Sequence, residues 1–256
     1  MRTSVRTAAV AATAVSLALL VTACGGGKES ADQGKGKESA APSASATTSS
    51  APPAKALSVA ELEKLIVEQA DLPGYQVKKA PAAEIVPSSA VAADKPSCKP
   101  FADAMSYIAT GNPAASAHRR AIEVPKSDGA TASSEDILGA LGAPATGVTL
   151  GSYDGQGAQD AFASLKKAGT ECAGGFTLIG GGEKTKIMKV EPETVSAGDE
   201  ALAWTVTTDV AGLPFVTKLV TFREGGTLAS FSTLSFGGPV TSLPTAIITA
   251  QDKKLG

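Results

Sequence analysis

Val216-Thr217-Lys218-Leu219-Val220-Thr221-Phe222-Arg223-Glu224-Gly225-Gly226-Thr227-Leu228-Ala229-Ser230-Phe231-Ser232-Thr233-Leu234-Ser235-Phe236 is the stretch whose reading decides the fold. Val216, Val220 and Phe222 alternate with Thr217, Thr221 and Arg223, the period-2 pattern of a strand with one buried face. Glu224-Gly225-Gly226-Thr227 then turns the chain, since a Gly pair can hold positive φ at both central positions of a two-residue type I′ turn. Residues 228–236 run back as the partner strand. That turn sets Phe222 opposite Ala229 and Val220 opposite Phe231, with the large apolar residues on one face.

Upstream, Leu202, Trp204 and Val206 alternate likewise, so residues 200–208 form another strand. Residues 117–124, 148–153 and 185–191 are further strand candidates, and 241–254 a last helix. Ser58-Val59-Ala60-Glu61 matches a capping box, and Val59, Leu62, Leu65, Ile66 and Ala70 follow at helical spacing. This first helix is expected to stop at Asp71-Leu72-Pro73-Gly74-Tyr75, because Pro73 cannot continue it. Residues 78–96, with Pro81, Pro87 and Pro96, read as irregular. A second helix opens near Ser97, with Cys98, Phe101, Met105 and Ile108 on one stripe. A third follows an expected N-cap at Asp154, with Ala158, Phe162, Leu165, Gly169 and Cys172 on its stripe. If these two helices pack side by side, a bridge between their cysteines makes them antiparallel.

Antiparallel strands grouped apart from helices, without strand-helix alternation, point to an α+β domain: a twisted antiparallel sheet flanked by helices. Residues 126–146, with Gly129, Gly139, Gly142 and Pro144, read as a long loop with at most one short helix, either a functional cover or a disordered insertion.

The start of the chain carries an address. Arg2 and Arg6 precede an apolar run of 14 residues from Ala8 to Val21, too short to span a bilayer as a helix. Val21-Thr22-Ala23-Cys24-Gly25 looks like a lipobox, so residues 1–23 are expected to be a lipoprotein signal and Cys24 the lipidated N-terminus of the mature chain, held at the extracytoplasmic face of a bacterial membrane by diacylglycerol. The arginines are not adjacent, which points to general secretion rather than the twin-arginine route. Residues 25–56 hold no aromatic and no aliphatic side chain larger than Ala, the composition of a disordered tether. About 32 such residues have a root-mean-square span on the order of 30 Å. Residues 57–256 remain for a single domain.

Without the signal the chain has 21 basic and 25 acidic residues, a net charge of −4. No basic stripe is available to release counterions from phosphates, so nucleic acid is not an expected partner. Beyond Cys24 only Cys98 and Cys172 remain, and in an oxidising compartment a disulfide is their natural reading. Its loop of about 75 residues corresponds to roughly 4 kcal/mol in the chain-entropy treatment. A metal pair or a nucleophilic thiol is the competing reading and needs helpers, whereas His118 is the only histidine and no CxxC exists.

Several segments together resemble actinobacterial secreted and lipid-anchored proteins related to the extracellular sensor domain of PknH-type Ser/Thr kinases. They are Leu57-Ser58-Val59-Ala60-Glu61-Leu62, Asp71-Leu72-Pro73-Gly74-Tyr75, Cys98 opening a helix, and Ser152-Tyr153-Asp154 leading into a helix that ends at Cys172. The resemblance implies an antiparallel sheet with flanking helices and a cleft for a ligand or partner. Those sensor domains carry two disulfides where this chain can form one, and no kinase domain or transmembrane helix accompanies it. No binding residue is carried over.

No catalytic, cofactor or metal constellation stands out. His118 reads as a partly exposed strand histidine, and Gly180-Gly181-Gly182-Glu183-Lys184 as a turn, since it lacks the spacing and Lys-Ser/Thr ending of a phosphate loop. Asp154, Asp160, Asp199 and Glu200 lack the spacing of a Ca²⁺ loop; Asp199 reads as a turn residue and Trp204 as core. The expected function is a non-enzymatic, membrane-tethered sensor-like domain that binds a small ligand or an envelope protein. A purely structural envelope protein and an enzyme of unrecognised type are the alternatives.

Overall fold

A computed structural model describes residues 55–124 and 142–256. The expected signal, Cys24 and nearly all of the tether lie outside the described residues, as does most of the 126–146 loop.

Nine strands form one antiparallel sheet. They are β1 (Tyr75–Lys79), β2 (Val91–Ala93), β3 (Ala115–Glu123), β4 (Ala145–Ser152), β5 (Phe176–Gly180), β6 (Glu183–Glu193), β7 (Glu200–Val210), β8 (Leu213–Glu224) and β9 (Thr227–Leu234). Across the sheet the order is β1-β3-β4-β9-β8-β7-β6-β5-β2. Four helices accompany it among the described residues: α1 (Val59–Leu65), α2 (Lys99–Met105), α3 (Gly157–Glu171) and α4 (Thr245–Leu255). The fold is α+β.

The decisive hairpin has the register that its sequence implies, Phe222 opposite Ala229 and Val220 opposite Phe231. Its turn differs. Gly225 has φ 54° while Gly226 is not in the left-handed region, so positive φ is used at the first central position alone, the requirement of type II′ rather than I′. Arg223 and Asp199 clasp this turn: the guanidinium donates to Gly225 O, and Asp199 Oδ2 accepts from Gly225 N–H. Two other two-residue turns do carry positive φ at both positions, Gly181-Gly182 between β5 and β6 and Ala211-Gly212 between β7 and β8. The Gly180–Lys184 segment is therefore a tight hairpin.

Successive residues of a strand point to opposite faces, and helices cover both. On one face Val148, Phe231, Val220 and Ala203 face each other across four strands and pack against Leu62 and Ile66 at α1 and Ile247 and Ile248 of α4. On the other, Trp204, Val206, Leu219 and Ile187 pack under α2 and α3. Trp204 is core, with its indole edge-on to Phe101 at 4.8 Å between ring centres. The cysteines close this second layer. Cys98 caps the start of α2 and Cys172 the end of α3; they are buried and joined, with Cα atoms 5.9 Å apart, and because the two helices also pack against each other, they run antiparallel.

The departures from the sequence expectations have identifiable physical causes. The capping box at Ser58 and Glu61 forms, but α1 ends at Leu65, six residues before the expected stop, and Ile66 turns extended. Gln251, fully buried on α4, makes that early end tolerable: its Nε2 donates to Leu65 O and its Oε1 accepts from Val67 N–H, both at 2.9 Å. Ala70 falls instead in a short 3-10 turn (Gln69–Asp71). Residues 78–96, expected to be irregular, contribute the end of β1 and all of β2, the two edge strands. Asp154 does not cap α3, whose N-cap is Gln156; the Asp154 carboxylate accepts from Ala56 N–H.

Candidate functional site

The site begins with a strained residue. After α2, Ser106 closes the helix and Ile108 N–H donates back to Asp103 O at 3.0 Å, a Schellman-type ending. Between them stands the left-handed position, usually Gly, here Tyr107 with φ 58°. A side chain in that conformation costs about 1–2 kcal/mol. In return the Tyr107 ring is laid on the sheet where Gly147 of β4 leaves room for it. Backbone outliers of this kind concentrate at binding and switch positions.

Around Tyr107 opens a cleft of about 410 Å³, walled by Ile85, Val86 and Pro87 on one side and Ile108, Ala109 and Pro113 on the other, with Ser88, Ser116 and His118 supplying polar groups. A narrow annex continues past Tyr107 towards Arg120, which is ion-paired with Glu84 at the rim. Predominantly apolar walls with a few convergent polar groups are the usual chemistry of a small-molecule site.

His118 lies on the floor. Expected from the sequence to be partly exposed, it is buried, at the floor of the cleft that Tyr107 walls. Its Nδ1 is 3.3 Å from Thr149 Oγ1 and its Nε2 3.1 Å from Ser116 Oγ. Thr149 donates its hydroxyl proton to Tyr107 O at 3.3 Å. The consistent tautomer then has Nδ1 protonated and donating to Thr149, with Nε2 accepting from Ser116. Burial pushes the imidazole pKa below its ordinary value, against a smaller opposing effect of Glu63, so His118 is a neutral donor-acceptor.

Below the Ser88 wall, the buried Asp103 accepts from Lys99 Nζ and from Ser88 Oγ at 3.0 Å. Burial raises its carboxyl pKa, and Lys99 and Ser88 hold it back. Tyr153, also buried, donates its hydroxyl to Thr110 O at 2.6 Å, and burial raises its phenol pKa. Beside the cleft, Thr110 Oγ1 is buried without a hydrogen-bond partner among the described residues. A second cavity, of about 210 Å³, lies between Tyr75, Thr146, Thr233 and the start of α4.

Of the polar residues weighed as site candidates in the sequence, only His118 lines the large cleft. Asp199 and Glu200 both bind Arg223, each at 2.7 Å, and Asp154 is spent on Ala56. Among the described residues no three of His, Cys, Asp and Glu gather to hold a metal ion. Sequence reasoning missed Tyr107, Ser116 and Ser88. Nothing in their spacing marks them, since a left-handed Tyr has no sequence signal and the cleft is lined mostly by loop and turn residues without a periodic pattern.

No family model matches this chain, and no curated protein matches it. In structure it is similar to the extracellular domain of PknH from Mycobacterium tuberculosis, at 12% identity and TM-score 0.45, over 78% of this chain and 97% of that one. It is also similar to an uncharacterised protein from Mycobacterium smegmatis, an Rv0999 ortholog, at 12% identity and TM-score 0.35, over 77% of this chain and 94% of the other.

Proposed function

We propose that this chain is a lipid-anchored extracytoplasmic protein whose domain binds a small ligand in the His118–Tyr107 cleft. The observation that carries the reading is Tyr107: a residue held in left-handed conformation forms the partition of a mostly apolar cleft. The lipobox at Cys24 supports the anchor, and no helix among the described residues is long and apolar enough to cross a membrane. The ligand class that fits is an uncharged, mainly apolar molecule with one or two hydroxyl or amide groups, since the floor offers neutral His118 and Ser116. Binding, not turnover, is the role proposed. An apolar fluorescent dye tests it: the dye is expected to bind, envelope extract to displace it, and Ser116→Trp, which fills the cleft, to abolish binding. Equal dye binding by the Trp variant would count against the cleft.

One observation favours a second reading. Ser116 Oγ and His118 Nε2 form a pair of the kind used in acyl transfer. Thr149, not a carboxylate, stands on Nδ1, which leaves a developing imidazolium without a counter-charge. Hydrolysis of short acyl esters, lost in Ser116→Ala, would establish the enzymatic reading.

A further inference from the structure

At the tip of the β7–β8 hairpin the chain reads Val210-Ala211-Gly212-Leu213-Pro214-Phe215, without a polar side chain, where hairpin tips are ordinarily polar. Leu213 is 71% exposed and Val210 50%. Beside them Phe236, 83% exposed, leans on Phe215 with ring centres 5.7 Å apart, and a shallow cleft of about 340 Å³ runs between these residues and Pro239. Part of the tip's backbone is paired: Val210 pairs with Leu213, and Gly212 N–H donates to Asp209 Oδ1 at 2.8 Å. It can therefore leave water without stranding that amide.

We propose that this tip, with Phe236, inserts into the surface of the bilayer that carries the Cys24 anchor. The inference rests on the anchor in the proposed function and is independent of the cleft. Two arguments select lipid as the occupant. The exposed side chains offer on the order of 400 Å² of apolar surface, against about 800 Å² per partner for a stable protein interface. That is too little for a freely diffusing partner or a second copy, and enough for a surface already held close by a tether, where docking is intramolecular. The second argument is reach. Ala56 and Leu57 N–H groups donate to Asp154 and Ser152, at the Gly225-Gly226 end of the sheet, opposite the apolar tip. Spanning from one end to the other along the 12 residues of β8 takes about 40 Å, and about 32 residues of chain between Cys24 and Leu57 extend to roughly 105 Å. That contour length exceeds the span, so the anchor leaves the tip free to meet the bilayer. Lys184 and Lys186 at this corner are offset by Glu183 and Asp209, so insertion does not depend on anionic headgroups.

The test uses the mature acylated chain in vesicles, with a polarity-sensitive nitrobenzoxadiazole probe at Leu213→Cys and a control probe at Lys166→Cys on α3. The expected result is a several-fold rise and a blue shift at position 213 alone. It should be equal in phosphatidylcholine and in phosphatidylglycerol mixtures, be quenched by spin-labelled lipid, and be lost in Val210→Ser/Phe236→Ser. Shortening the tether to about ten residues, a reach of about 35 Å, should also abolish it. A probe at 213 that matches the control in vesicles overturns the proposal. So does one that is shielded before vesicles are added, the outcome for a second copy or for cover by the chain itself, or one that responds only to anionic lipid. The mass of the Cys24 peptide reports the anchor separately: an acylated chain that floats with a wet probe refutes docking alone, whereas a chain without acyl groups that fails to float refutes both.

Discussion

The Tyr107 ring occupies the space that a side chain at Gly147 would need. A Cβ on Gly147 would overlap Cε1 and Cδ1 of the ring, so the two positions on α2's exit and on β4 are coupled. Gly147→Ala is expected to cost about 1–3 kcal/mol and to expel the ring from the cleft. In a Tyr107→Gly background, where the ring is gone and the left-handed position is relaxed, the same change should cost much less. Denaturant unfolding of the four proteins measures this. Additive costs would show that the ring is not seated on Gly147.

Reduction should loosen the α2–α3 layer. The Cys98–Cys172 bond closes a loop of 74 residues, for which the chain-entropy treatment gives roughly 4 kcal/mol. A Cys98→Ala/Cys172→Ala protein is expected to melt well below the oxidised one, and unreduced peptide mapping should recover the two segments linked. Freely alkylated thiols in the native protein would refute the bond.

Stability should fall in mild acid because of His118. Its folded pKa is lowered by burial, so below the ordinary value of 6.5 the unfolded chain binds the proton first. The stabilisation is complete above that pH and is lost as pH falls towards the folded pKa. Asp103, with its pKa raised, acts in the opposite direction at lower pH. Subtracting the pH profile of His118→Gln isolates the histidine; identical slopes between pH 7 and 5 would mean that His118 is not held neutral.

Processing at Cys24 is the simplest matter to settle. Labelled palmitate should mark the wild-type chain, and Cys24→Ala should leave an uncleaved or mislocalised precursor. Unchanged processing in the variant would end the lipoprotein reading.

The hairpin register of Phe222 and Val220, the α2 and α3 stripes that bring Cys98 and Cys172 to helix ends, and the place of Trp204 in the core were legible in the sequence. Each is a local pattern, a period of 2 or 3.6 with a turn or cap at its end, and local patterns survive in one dimension. The edge strands were not, since β1 and β2 have five and three residues, too few for a period of 2 to stand out, and only pairing with β3 and β5 defines them. The early end of α1 at Leu65 is supported by the Gln251 amide, 186 residues away. The seat of the Tyr107 ring depends on Gly147, on a different element of the fold, leaving room for it. These accommodations join side chains from separate elements, which is why the sequence determined the framework and the cysteine positions, and tertiary packing alone decided where the cleft opens.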